Sequence, residues 1–285
     1  MSPSPLVRQL SAADLASLSF LTNHAEYVHR HLDWRSPSDW VGSIPFLGIE
    51  RQNHLLSVLA CPYIRASVGW IRLFAFLNWN SPQLRDTWDL LFHQLLETNI
   101  FPSGYVLAGL GLQSWFSELL IRSRFKFRQD IVVLQWLNQI PPARPIPTEI
   151  KIRRMQKSDL GQVLKVDNLA FEDIWQHTQD ELNLAFNQAA YATVSVMNQE
   201  IVGYQISTGT QYHAHLARLA VDPGLHRLSI GYGLVRDALC HFSDQGVTNI
   251  TVNTQSDNHQ SLALYQKMGF YRTGDEFPVY TFTID

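Results

Sequence analysis

Charge is scarce in this chain. Asp, Glu, Lys and Arg make up only 16% of its 285 residues, against roughly 25% in an ordinary soluble domain. The net charge is −3, and no run of five or six like charges occurs. That balance argues against a basic stripe for nucleic acid or anionic lipid. Cysteine is also rare: Cys61 and Cys240 lie far apart, which speaks against a disulfide framework and against a structural metal such as zinc. No apolar run approaches the roughly 18 residues that span a bilayer. The N-terminal stretch MSPSPLVRQLSAADL lacks the charged and apolar regions of a secretory signal. The expectation is a cytoplasmic protein with neither membrane nor nucleic acid as partner.

What is abundant is apolar surface, 46% of residues, and the length suits two domains better than one. Four prolines in NQIPPARPIPTE, Asn138 to Glu149, favour an extended connector. The chain repeats itself on either side. VRQLSAADL (Val7 to Leu15) overlies IRRMQKSDL (Ile152 to Leu160) at an offset of 145. Each reads as a strand and a helix with Asp14 or Asp159 in its first turn, where an acid favours the helix dipole. The same offset lays RFKFR (Arg124 to Arg128) over GFYRT (Gly269 to Thr273), and WIRLFAFLNW resembles HLARLAVDP at an offset close by. Matches at one offset bracketing both halves indicate duplication. The expected domains are 1–137 and 150–285, joined by the Pro-rich 138–149.

In the second half, periodicity predicts strands at 150–155, 191–197, 201–208, 214–221, 247–253 and near 276–284. Helices are predicted over 158–171, about 231–242 and 258–268, with a polar, helix-leaning region at 172–190. Strands in series followed by strands alternating with helices give an α/β, mixed α+β, fold: a twisted mixed sheet flanked by helices.

That order, with LAVDPGLHRLSIGYGLVRDAL followed by NHQSLALYQKMGF, resembles the GNAT (Gcn5-related N-acetyltransferase) superfamily. The resemblance covers Glu149 to the end. The first half follows the outline in decayed form, so two tandem GNAT-like domains are expected. The family's acyl-CoA pyrophosphate motif is Arg/Gln-x-x-Gly-x-Gly/Ala after a strand ending Val-x-Pro. Counting from Pro223 puts His226 at the Arg/Gln position, Ser229 at the first glycine and Gly231 at the last. Two of the three depart from the pattern; Arg227 can supply nearby positive charge. Physically, backbone N–H groups at a helix N-terminus make an anion cradle, and small residues let phosphates approach. The alternative is an ordinary strand–turn–helix connection whose glycines relax the turn.

The resemblance implies acetyl-CoA as acyl-donor cosubstrate, bound by Leu219, Ala220 and Val221 at the strand end, by His226, Arg227, Leu228, Ser229, Ile230, Gly231 and Tyr232 around the turn, and by Asn258, Ser261 and Tyr265 on the last helix. Asn258 through Phe270 match the family's N-x-x-S-x-x-L-Y-x-x-x-G-F. Its tyrosine, Tyr265 here, is usually the general acid. Expelling a thiolate needs a proton, and a phenol near pKa ~10 can supply it to a thiolate whose conjugate acid is near ~8.5. The other reading is a core tyrosine satisfied by a carbonyl or water.

An attacking amine must first lose a proton. His215 occupies the position where several members carry a glutamate, and an imidazole near pKa ~6.5 suits a base at neutral pH. An exposed strand histidine, at His213 or His215, or a His215 that only orients a water, is the competing reading; Glu172 and Asp173 are either a further base or a solvated acidic turn. A backbone N–H around Leu219 or Ala220 would hold the oxyanion. In the first half Leu120 replaces Tyr265, Gln113 replaces Asn258, and NSPQLRDTW offers no glycine; that copy is expected to have lost the site. Trp34, Trp40, Trp79 and Trp175 suggest apolar walls or packing. The expected activity is transfer of an acetyl group to an unidentified primary amine by direct attack; a non-catalytic acyl-CoA or effector-binding module, and a scaffold of two inactive copies, are the alternatives. A pseudo-dimer within one chain is expected, or a homodimer.

Overall fold

The computed structural model describes residues 6–78 and 83–285. Trp79 and the start of the NSPQLRDTW turn (Asn80, Ser81 and Pro82) lie outside the described residues, as do the first five of the chain. Two compact units form: Met1–Arg128 with Phe277–Asp285, and Gln129–Glu276. These do not follow the division at 138–149. The Pro-rich segment lies wholly in the second unit, and each unit takes a strand from beyond that division. No helix among the described residues is long and apolar enough to cross a membrane.

In the first unit, β1 (Leu6–Gln9), β2 (Tyr27–Arg30), β3 (Phe46–Arg51), β4 (His54–Ala60) and β6 (Leu73–Phe76) form an antiparallel sheet in the order β1-β3-β4-β6-β2. Helix α1 (Leu15–His24) covers one core with Leu18 and Leu21. β5 (Val68–Trp70) pairs parallel with β7 (Val106–Leu110). Helices α2 (Leu84–Glu97) and α3 (Ser114–Arg122) cover a second core. Trp88, Leu91, Phe92 and Leu95 recur on one face of α2 and are buried there, the spacing of an amphipathic helix.

The second unit begins within β8 (Lys126–Trp136) and continues through β9 (Ile150–Arg154), α4 (Leu160–Ala170), α5 (Gln179–Gln188), β10 (Tyr191–Met197), β11 (Glu200–Gly209), β12 (His213–Val221), α6 (Ile230–Asp244), β13 (Asn249–Gln255) and α7 (His259–Lys267). Its sheet runs β8-β13-β12-β11-β10-β9. All neighbours are antiparallel except β12 and β13. Adjacent residues of a strand point to opposite faces. Tyr204 bonds Asp167 on α4, while a Cβ on Gly203 would lie 3.3 Å from Leu234 on α6. The two helices therefore cover opposite faces, as the mixed α/β reading requires.

The last strand, β14 (Phe270–Thr283), starts directly after Gly269, well before the predicted 276. The polar run YRTGDE is exposed and carries no burial signal. Its end, Val279 to Thr283, pairs antiparallel with β7 and belongs to the first unit. In exchange, Ile131 to Gln135 of β8 pair with β13 in the second.

The repeat has physical counterparts. Arg8 pairs with Asp14 at 2.6 Å and Arg153 with Asp159 at 2.7 Å. Both carboxylates also accept a backbone N–H, from Ser11 and Gln156 at 2.8 and 2.7 Å. Each Asp thus ties a helix start to the preceding strand, beyond its place in the helix dipole. The Arg8 hydrogen bond holds the Asp14 carboxyl well below the usual range. Arg124 and Gly269, 145 residues apart, both take left-handed backbone, with φ of 65° and 84°.

Candidate active site

The site begins where two parallel strands part. β12 and β13 pair only from His213↔Asn249 to Leu216↔Val252. Beyond that point the two strands no longer pair: β13 keeps β8 on its other edge, and β12 keeps only β11 out to Val221. A register shift against β11, from Ile206↔Arg218 to Ser207↔Leu216, leaves Ala217 as the extra residue of a bulge. The Asp222 N–H donates to Val202 at 2.8 Å. Bonded and non-bonded pairs alternate along an antiparallel ladder. Ala220 therefore turns its N–H to β11, whereas Leu219 and Val221 present theirs on the opened side. Of the two expected oxyanion donors, the ladder rules out Ala220 and leaves Leu219.

Past Val221 the chain makes a turn suited to an anion. The Asp222 carboxylate accepts the Gly224 N–H at 2.8 Å. Arg227 and Ser229 both hold left-handed backbone, with φ of 68° and 61°. That region costs an L-residue roughly 1–2 kcal/mol, so the turn's shape is one glycine would adopt freely. No side chain caps α6, whose first N–H groups carry the positive end of a 15-residue helix dipole. A Cβ on Gly231 would lie 3.4 Å from Leu264 and 3.6 Å from Val221. Gly231 is thus the narrow point between strand end and last helix. His226 is engaged within the turn: its ring nitrogens lie 3.2 Å from the Val221 carbonyl and 3.1 Å from the Gln260 amide.

Helix α7 forms the opposite wall. Asn258 caps it, its side-chain oxygen accepting the Ser261 N–H at 3.0 Å. The cleft between these elements holds about 1100 Å³, ample for an elongated ligand. Every expected binding residue lines it except Leu228 and Tyr265. Leu228 lies between the two left-handed residues and is 38% exposed.

The two expected proton carriers lie off the cleft wall. Tyr265 is 4% exposed, packed with Trp136, Met268 and Phe270, the last with ring centroids 5.6 Å apart. Burial raises its phenol, which keeps its proton at neutral pH. His215 bonds Thr251 at 2.9 Å, and burial lowers its ring, which is neutral at pH 7. The acids on the wall are Asp257 and Glu172, the latter beside Ala170, Phe171 and Trp175. Trp40, by contrast, is core of the first unit.

Sequence reasoning missed what stands behind that wall. Asp167 is fully buried and accepts from the Tyr204 hydroxyl, from Arg218 Nε at 2.9 Å and from the His177 N–H at 2.8 Å. Arg218 also donates to the Trp175 carbonyl at 2.7 Å and stacks 3.7 Å from the Phe171 ring. One ion pair thus ties β11, β12 and α4 to the loop carrying Phe171 and Trp175. A signal was present: WIRLF and HLARLAV each place an arginine in an apolar run. Arg72, its counterpart, is also buried, with Asp33 at 3.1 Å. Among the described residues no group of His, Cys, Asp and Glu could hold a metal ion.

Residues 160–270 match the family model of the acetyltransferase (GNAT) family. No curated protein matches the chain. Solved structures resemble it over nearly its full length at low identity. A GCN5-related N-acetyltransferase from Sphaerobacter thermophilus shares 14% identity over 99% of this chain and 97% of its own, with a TM-score of 0.64. A tandem GNAT protein from the clavulanic acid biosynthesis pathway shares 13% over 98% of both chains, at 0.67. A probable N-acyltransferase from Enterococcus faecalis V583 shares 9% over 99% of this chain and 73% of its own, at 0.69. Residues 160–270 are therefore a domain of the GNAT acetyltransferase family, within a chain that has the tandem GNAT fold.

Proposed function

We propose that the cleft of the second unit binds acetyl-CoA and transfers its acetyl group directly to a primary amine. The observation that carries this reading is the turn before α6. Two non-glycine residues keep the left-handed backbone of an anion cradle, at the head of an uncapped helix and facing an opened strand. A relaxed connection has no need of that strain. In this reading the diphosphate lies on the α6 N–H groups, and the pantetheine arm runs between β12 and α7 past Asn258. The thioester carbonyl meets the Leu219 N–H. The amine attacks the carbonyl carbon, the tetrahedral intermediate expels the thiolate, and Tyr265 protonates the sulfur. His215, off the wall, is the base in this reading and acts through water; Glu172, on the wall, is the alternative base.

A second reading has one observation in its favour. Neither Tyr265 nor His215 lines the cleft, as in a domain that binds acyl-CoA without turning it over. One titration and one assay separate the readings. Calorimetry with acetyl-CoA should show one site per chain, and release of free thiol should depend on an added amine. Binding with no thiol release across mono-, di- and polyamines, amino sugars and peptide N-termini favours the binding module; absence of binding at millimolar ligand sinks both.

A further inference from the structure

The Pro-rich segment between the repeats is docked on the helix that bears the turn. Tyr232 Oη donates to the Pro142 carbonyl at 2.8 Å, and Arg236 Nε to the Pro141 carbonyl at 2.9 Å. These donors are four residues apart on α6 and so share one face. Further along, Ile146 packs with Ile150, Ile230 and Leu234. Between the two anchors Arg144 lays its guanidinium over the Tyr232 ring, 4.4 Å from its centroid. There it lines the cleft beside Ser229, Ile230 and Gly231. Arg144 makes no ion pair among the described residues.

A guanidinium stacked on an aromatic face is pre-organised and keeps its donor edge for a planar or tetrahedral oxyanion. In the same cleft both ring nitrogens of His226, which stands where the family motif carries Arg or Gln, are occupied, by the Val221 carbonyl and the Gln260 amide. We propose that Arg144, carried by the docked strap, is a phosphate-binding residue that neutralises the diphosphate of the acyl-CoA beside the α6 N-terminus. The strap is then part of the donor site rather than a spacer. This rests on the acyl-CoA reading above.

The test compares wild type, Arg144→Ala and Arg144→Lys by calorimetry with acetyl-CoA and with acetyl-dephospho-CoA, at low and moderate salt. A charge-assisted bond lost from a phosphate weakens binding about tenfold or more. Arg144→Ala should show that loss with both ligands and a flatter salt dependence, and Arg144→Lys should recover part of it. Arg144 is exposed, so thermal midpoints should stay together. Wild-type affinity in Arg144→Ala overturns the inference and leaves the acyl-CoA reading intact. A loss confined to acetyl-CoA moves Arg144 to the 3′-phosphate and overturns the diphosphate assignment. A lysine variant as weak as alanine, with the wild-type salt slope, reduces the effect to packing and also overturns it. A wild-type protein that binds neither ligand removes the acyl-CoA reading and this inference together.

Discussion

Ser229 illustrates how single residues carry the site. Its left-handed backbone costs roughly 1 kcal/mol or more relative to glycine, while glycine's extra freedom in the unfolded chain returns about 0.5–1 kcal/mol. The two nearly cancel. Ser229→Gly should therefore shift unfolding free energy by no more than about 0.5 kcal/mol and bind acetyl-CoA at least as tightly; a large loss of affinity would mean the hydroxyl itself is a ligand. Tyr265→Phe should lower turnover far more than affinity, and wild-type values for both would remove Tyr265 from the chemistry. His29 supplies a prediction about pH. It is fully buried against Phe116, ring centroids 3.8 Å apart, and burial pushes its ring down to about 4. The unfolded chain takes up the proton near ~6.5 and the folded one only near 4, so stability is lost as pH falls through that window, by at most about 3 kcal/mol. His29→Gln should flatten that part of the stability–pH curve; an unchanged slope would assign it elsewhere. At this scale the sequence was legible where spacing alone decides, as from Pro223 to Gly231. It was silent on Tyr265's distance from the cleft wall, because burial depends on which helix face meets the sheet.

Among elements, the buried pair behind Phe171 and Trp175 is the most exposed to test. Removing one partner of a buried ion pair costs about 3–5 kcal/mol, whereas replacing both with apolar groups is often neutral. Asp167→Ala should destabilise by that amount, and Asp167→Leu with Arg218→Met should recover most of it. If the double variant keeps full stability but loses turnover with any amine the wild type accepts, the pair serves to position Phe171 and Trp175. If the single variant is harmless, the network is not holding the loop. Hydrophobic patterning located α4, α6, α7 and strands β9 to β13 within a few residues, because the helices bury one face and β10 and β11 are near-continuous buried runs. The bulge at Ala217 and the parting of β12 from β13 left no such mark: both arise from partners distant in sequence. The strap was legible as extended from its prolines, but its docking depends on two α6 side chains meeting carbonyls, which composition does not reveal.

For the whole molecule, the exchange of strands predicts which fragments fold. Residues 129–276 contain a complete second unit and should unfold cooperatively and bind acetyl-CoA alone. Residues 150–285 lack β8, the partner on one edge of β13, and residues 1–137 lack the end of β14, the partner on one edge of β7. Neither should show a cooperative transition by circular dichroism. A cooperative, tightly folded 150–285 fragment would show that β8 is dispensable. The repeat made duplication legible, yet it suggested two halves cut end to end, since an internal offset carries no information on which copy a strand joins. In solution a mass well above one chain would replace the pseudo-dimer with a dimer of chains.

The exchanged strand also bears on how the protein is made. A first unit that counts Phe277–Asp285 among its residues cannot finish its sheet when its own portion of the chain leaves the ribosome. At about 5–20 residues per second, the intervening stretch of roughly 150 residues takes some seconds to tens of seconds to synthesise. Through that interval the edge of β7 waits unpaired, beside the apolar pocket that Tyr280 will fill. The half of the chain born first is thus completed last, and its nascent edge is where a chaperone, or a neighbouring nascent chain, would find it.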